Sequence, residues 1–253
     1  IWSFVWFLLG LAGLYSRPVA VVALVLGVLP AIVGLLKFKN AAKANRESQP
    51  SEVFDKFVLL LAAVPVLLSL IAALAPPTAK DTLLYHFSVP KAFIAQGSSA
   101  FIEGNIASYL ALGTEMHVVW AMLLGGPVGE RAGEAAAGAV VWLFFPLLLA
   151  ALFGFAREAG ISRRWSLIAV LMVATVPTAY HVAASAYIDL ALALYVLLAA
   201  VALTRWWRSL ESRWLILMAI FLGAALASKL TTLFVIAAFA LVVVMRARSE
   251  ADG

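Results

Sequence analysis

Ile106-Ala-Ser-Tyr-Leu-Ala-Leu-Gly-Thr-Glu-Met-His-Val-Val-Trp-Ala-Met-Leu-Leu-Gly125 has the length of a spanning helix, yet Glu115 and His117 sit in its middle. A carboxylate at the bilayer centre costs about 2.5–3.5 kcal/mol on insertion scales. The stretch therefore reads as a helix that lies on, or dips into, one membrane face. The competing reading is an ordinary span whose Glu115 is paired inside the bundle.

The rest of the chain makes that choice decisive. Of 253 residues, 65% are hydrophobic and 12% charged, and the mean hydropathy is +1.04. Soluble domains carry roughly 45–50% apolar and about 25% charged residues. A water-soluble globule is excluded, and an all-α polytopic transmembrane helix bundle is predicted. Candidate spans are 1–15, 18–36, 57–75, 134–155, 165–181, 188–204, 214–228 and 230–245.

Most Lys and Arg fall in four clusters between these spans. They are Lys37, Lys39, Lys43, Arg46 and Lys56; Arg157, Arg163 and Arg164; Arg205, Arg208 and Arg213; and Arg246 and Arg248. The positive-inside rule places all four on the cytoplasmic side. That requires an even number of crossings between successive clusters, and counting 106–125 as a crossing makes the number odd. With that stretch laid outside, about eight spans plus an outer-face juxtamembrane helix remain, and the topology closes.

The domains that follow are 1–56, two spans and a basic cytoplasmic loop; 57–245, a core whose first outer loop is 76–133; and 246–253, a cytoplasmic tail. Ile1-Trp-Ser-Phe-Val lacks an initiator Met, and the tail ends abruptly, so the chain reads as part of a longer protein. The +5 net charge is dispersed through loops and reports orientation, not nucleic-acid binding. With no cysteine there is neither a disulfide framework nor a thiolate metal site.

This topology gathers Asp81, Lys91, Glu115, His117, Asp189 and Lys229 at or near the outer face. Asp81 precedes Thr82-Leu-Leu-Tyr-His86, where it caps a helix or acts as a base or cation ligand. His86 reads as a hydrogen-bonded structural residue or as part of the chemistry. Lys91, after Pro90, either snorkels to headgroups or meets a phosphate. Asp189, heading an apolar span, is a functional carboxylate or an interhelical ion pair. Lys229, an isolated ammonium between two short spans, suits an anionic headgroup or Asp189. Gly125-Gly126-Pro127 is a turn, and no Walker, zinc-protease or nucleophile-elbow motif is present.

Asp81-x-x-x-Tyr85-His86-x-x-x-Pro90-Lys91, the Gly97 turn and the Asn105…Tyr109…Glu115-Met116 stretch together resemble the first outer loop of bacterial GT-C membrane glycosyltransferases. These enzymes use polyprenyl-phosphate sugars and include relatives of protein mannosyltransferases and the aminoarabinose transferase. Asp189-Leu-Ala-Leu-Ala-Leu-Tyr195 and Gly223-Ala-Ala-Leu-Ala-Ser-Lys229 extend the resemblance across roughly 57–245. It implies Asp81 as catalytic base, Asp189 as a catalytic residue supporting the active site, and Lys91 and Lys229 binding the lipid phosphate; His86, Glu115 and His117, gathered at the same outer face, complete the substrate-binding candidates. It also implies a polyprenyl-phosphate-linked sugar as partner, membrane lipid around the site, and a bacterial cytoplasmic-membrane location with the site outside. A divalent cation is admitted but not required. Many members carry an acidic pair at the first site, whereas Lys80 and Thr82 flank a single aspartate here. Other readings are a non-catalytic integral subunit with protein partners in a larger complex, and a transporter. The transporter is disfavoured because the charges gather at one face.

Overall fold

The computed structural model describes residues 2–46 and 53–251, with side chains for 2–37 and 53–249. Lys39, Lys43 and Arg46 of the first basic cluster, and the end of the tail, therefore lie outside the described side chains. Every described element is helical. In order they are α1 Trp2–Leu11, α2 Arg17–Arg46, α3 Val53–Leu74, α4 Ser88–Gln96, α5 Glu115–Gly125 and α6 Glu130–Trp142. Then come α7 Phe144–Glu158, α8 Arg163–Ala174, α9 Pro177–Ala184, α10 Asp189–Ser209, α11 Ser212–Ser228 and α12 Thr232–Ala251.

The all-α polytopic bundle expected from composition is what the chain forms. Five stretches are long and apolar enough to cross a membrane: α2, α3, α6 with α7, α10 and α12. A sixth is the pair α8 and α9, bent by 61° at its break. Pro177 explains that bend, because it has no N–H to donate and its ring collides with the preceding turn. Helices α1 and α11, with 10 and 17 residues, are apolar but shorter, so the count of eight spans is not established.

The 106–125 stretch is not one helix. It breaks after a 3-10 turn at Ile106–Tyr109, and α5 begins at Glu115. With 11 residues α5 is about 16 Å long, too short to cross. It does not lie open on a surface either. Met116, Val118, Val119, Ala121, Met122 and Leu123 are all buried, and α5 packs against α1, α2, α4 and α6. Trp6, Tyr15 and Ala20 from the N-terminal region share one apolar cluster with Val89, Phe93, Met116 and Val119.

Helices α10 and α11 form a tight hairpin, closed by Leu210 in the left-handed conformation at φ 56°. The chain thus returns Lys229 to the level of Asp189. The opposite end gathers the basic clusters. Arg163 pairs with Asp55 at 2.6 Å, Arg205 with Glu158 at 2.6 Å, and Arg246 lies over Trp207. Basic residues of three of the four clusters thus share one end, as the parity argument requires.

Candidate functional site

Beyond α3, residues 76–79 carry no regular structure, as Pro76 and Pro77 lack the N–H a continuing helix needs, and the chain turns helical again at Lys80. From Thr82 to His86 it winds as a π-turn, with the Phe87 N–H donating to the Thr82 carbonyl at 2.9 Å. This wide turn is closed by an i→i+5 bond. The Thr82 hydroxyl donates to the Ser185 carbonyl at the end of α9. That bond ties the Asp81 segment to the Ala186-Tyr187-Ile188 connection leading into Asp189. Ala186, at φ 54°, sits in a cluster with Phe87, Val118 and Ala121.

Four elements converge on Tyr85. Its phenol is pushed up to about 12, by burial first and then by the surrounding Asp81, Glu115, Asp189 and Tyr187. Raised this far, Tyr85 remains an O–H donor across the physiological range. Beside it, His86 Nδ1 meets Glu115 Oε1 at 2.7 Å, with both side chains buried. The His86 ring lies 4.1 Å from that of Tyr85 and 5.5 Å from that of Tyr187. Asp189 opens α10, where the helix N-terminus favours a carboxylate, and its Oδ1 accepts from Lys229 Nζ at 2.7 Å. That pair is half-exposed.

Asp81, His86, Glu115, Asp189 and Lys229 are therefore brought together; Lys91 and His117 lie elsewhere. Lys91 Nζ donates to Glu130 and Glu134, each at 2.7 Å. Partial burial opposes its charge, but the two carboxylates outweigh that and hold the ammonium above its ordinary range. Arg131 joins the same clasp through Glu134 at 3.0 Å and the Leu74 carbonyl. His117 lies two residues beyond Glu115 and so on the far side of α5. Its Nε2 is 3.1 Å from Ser3 Oγ, and its ring faces Phe144.

Sequence reasoning gave no role to Tyr85, which entered only within the Asp81…Lys91 pattern, and gave Tyr187 only a minor place on the outer loop before Asp189. Tyr187 precedes Asp189 by two residues, but nothing local marks it. Only the meeting of α9 with the π-turn makes it part of the site. The acids that claim Lys91 were legible as an i,i+4 pair, Glu130 and Glu134, heading a span.

A groove of about 580 Å³ is walled by Phe4, Phe7, Phe93, Phe101 and Tyr109, with Gly223 of α11 on the other side; none of the cluster's charged side chains lines it. Its lining includes Gly113 and Ala227, which are joined by a 2.7 Å backbone hydrogen bond. One residue further on, Thr114 and Ser228 hydroxyls lie 2.8 Å apart. Glu115 and Lys229 come next in each strand of chain, so groove and cluster share one junction. Among the described residues no three His, Asp or Glu side chains are placed to hold a metal ion.

The fold and cluster define a polytopic helical membrane protein with carboxylates, phenols and an ammonium gathered at one end. Residues 127–249, just under half of the chain, match the family described as dolichyl-phosphate-mannose-protein mannosyltransferase. The match supports the GT-C membrane glycosyltransferase resemblance over part of the chain. Asp189 and Lys229 fall inside the matched region; Asp81, His86, Lys91, Glu115 and His117 precede it. No curated protein and no solved structure matches the chain.

Proposed function

We propose that the chain transfers a sugar from a polyprenyl-phosphate donor to an acceptor at the outer face of the cytoplasmic membrane. The observation that carries this reading is the grouping of Asp81 and Asp189 about Tyr85, with Lys229 paired to Asp189, at a junction whose neighbouring residues line an apolar, aromatic-walled groove. The groove suits an isoprenoid chain. The half-exposed Lys229 ammonium, steered by Asp189, suits the phosphate at the end of that chain.

Asp81 takes the proton from an acceptor hydroxyl or amine. The freed oxygen or nitrogen attacks the anomeric carbon from the side opposite the phosphate. The anomeric C–O bond breaks, its electron pair leaves on the phosphate oxygen, and Lys229 stabilises that charge. One inversion at the anomeric carbon results. The neutral Tyr85 phenol donates a hydrogen bond into the same space. Lys91 is not assigned a phosphate here, because two carboxylates already satisfy its ammonium.

The test is Asp81→Asn in membranes supplied with decaprenyl-phosphate mannose, with release of decaprenyl phosphate as the readout. Turnover is expected to vanish while expression and melting stay as in the parent. Undiminished release removes Asp81 from the chemistry. A second reading, an integral subunit of a larger complex, draws support from α2 and α12, whose apolar windows are only 6% buried. Co-purification of stoichiometric partners with a chain that releases no prenyl phosphate favours it.

A further inference from the structure

Among the described residues, the 2.7 Å contact between Glu115 Oε1 and His86 Nδ1 is the one hydrogen bond either side chain makes. Glu115 is 1% exposed and His86 2%, and Glu115 Oε2 has no partner. A carboxylate taken this deep is costly unless an opposing group compensates it. Imidazole is the group in contact. The ring cannot turn away freely, because Tyr85 and Tyr187 flank it. The π-turn adds a second constraint, since the bond from the Phe87 N–H to the Thr82 carbonyl closes the turn that carries His86.

We propose that Glu115 is a positioning residue, fixing His86 as the Nδ1–H tautomer so that the bare Nε2 accepts a hydrogen bond from a substrate hydroxyl. An ionised carboxylate oxygen only accepts, so the proton between the two residues sits on Nδ1. In a neutral imidazole the other nitrogen is then unprotonated. The described residues give Nε2 no partner of its own. Glu115 thus acts through His86 and touches no substrate, which separates it from Asp81 and Lys229. The substrate hydroxyl rests on the glycosyl-transfer reading above; the tautomer does not.

The experiment uses the whole chain in lipid nanodiscs with ¹⁵N-histidine, where three histidines give few resonances and His86→Gln assigns the one of interest. The parent is expected to show a protonated Nδ1 and a bare Nε2 at neutral pH. Glu115→Gln, whose amide oxygen still accepts, should keep that tautomer; Glu115→Leu should shift the ring toward Nε2–H. An Nε2–H ring in the parent, or an unchanged ring in Glu115→Leu, overturns the proposal.

Release of decaprenyl phosphate from decaprenyl-phosphate mannose supplies the second readout. Glu115→Leu and His86→Gln should each lower kcat/KM by roughly 10², and the double variant should lose no more than His86→Gln alone. Additive losses show that Glu115 acts independently of His86 and also overturn it. If no variant, nor the parent, releases prenyl phosphate, the transfer reading has failed while the tautomer result still stands or falls on its own.

Discussion

Gly138 of α6 tests whether the bundle places Asp81 as described. A Cβ added there would lie 2.1 Å from the Ala73 carbonyl oxygen and 3.1 Å from its carbon. Even a close C···O contact needs about 3.3 Å, so α3 and α6 would have to separate by roughly 1 Å. The obstructing atom is backbone and cannot rotate aside. The same crossing carries the Trp142 Nε1 donations to Val66 O and Ser69 Oγ, both 3.0 Å, and the bond from Arg131 to Leu74. Overpacking costs typically about 1–3 kcal/mol, and the rigid contact puts Gly138→Ala at the upper end. Better helix propensity returns up to about 1 kcal/mol. The net expectation is a loss of about 2 kcal/mol, or roughly 4–8 °C in Tm at this size. Gly154→Ala in α7 is the control: nothing lies within 4 Å of its Cβ position, so it should be neutral or slightly stabilising. The assay is thermal unfolding of both variants in one detergent. If Gly138→Ala melts with the parent, the two helices do not touch as closely as described. In that case their crossing does not hold the end of α3, and the loop leading to Asp81, where it is described.

Further expectations follow from the same geometry. Lys229→Gln should cost under about 1 kcal/mol of stability, because its ion pair with Asp189 is half-exposed, yet lower prenyl-phosphate release by roughly 10²-fold; equal turnover would detach Lys229 from the phosphate. Tyr85 titrates near 10 when unfolded and at about 12 when folded, so its stabilising contribution is whole below pH 10 and is lost as the pH rises toward 12. Tyr85→Phe should move the alkaline unfolding midpoint upward, and an unmoved midpoint argues against the burial of this phenol among carboxylates. The chain has no cysteine, so single-cysteine variants report topology cleanly. Glu103→Cys should react with an impermeant maleimide in intact cells and Arg208→Cys only after lysis; the reverse pattern inverts the orientation.

Much of the bundle was legible because lipid imposes a simple rule: long apolar runs become helices, and lysines and arginines choose a side. Residues 57–75 and 188–204 emerge almost as drawn, as Val53–Leu74 and Asp189–Ser209. The single span expected at 165–181 instead bends at Pro177. The cost of Glu115 at mid-membrane argues against a crossing at 106–125, and the helix there is too short to cross. The environment of Glu115 was not legible. A carboxylate expected near a membrane face is enclosed instead, because a histidine 29 residues earlier is carried to it by a π-turn that no periodicity announces.

That difference explains why the site divides as it does. Charges whose partners follow from helix direction were predictable: an aspartate opening α10 and a lysine closing α11 must meet if the two helices form a hairpin. Charges on the irregular segment obey no such rule. Lys91 was read as a candidate for phosphate because it follows Pro90, yet Glu130 and Glu134 reach it from across the outer segment. His117 shares the short helix α5 with Glu115 but turns toward Ser3 instead. What separates the cluster from its surroundings is saturation. Lys91 is held by two carboxylates, Asp55 by Arg163 and Glu158 by Arg205, all inside structural clasps. Asp189 and Lys229 form a half-exposed pair, and Glu115 keeps one oxygen with no partner. Unfilled hydrogen-bonding capacity, at a junction shared with an apolar groove, is the physical reason for proposing the chemistry there.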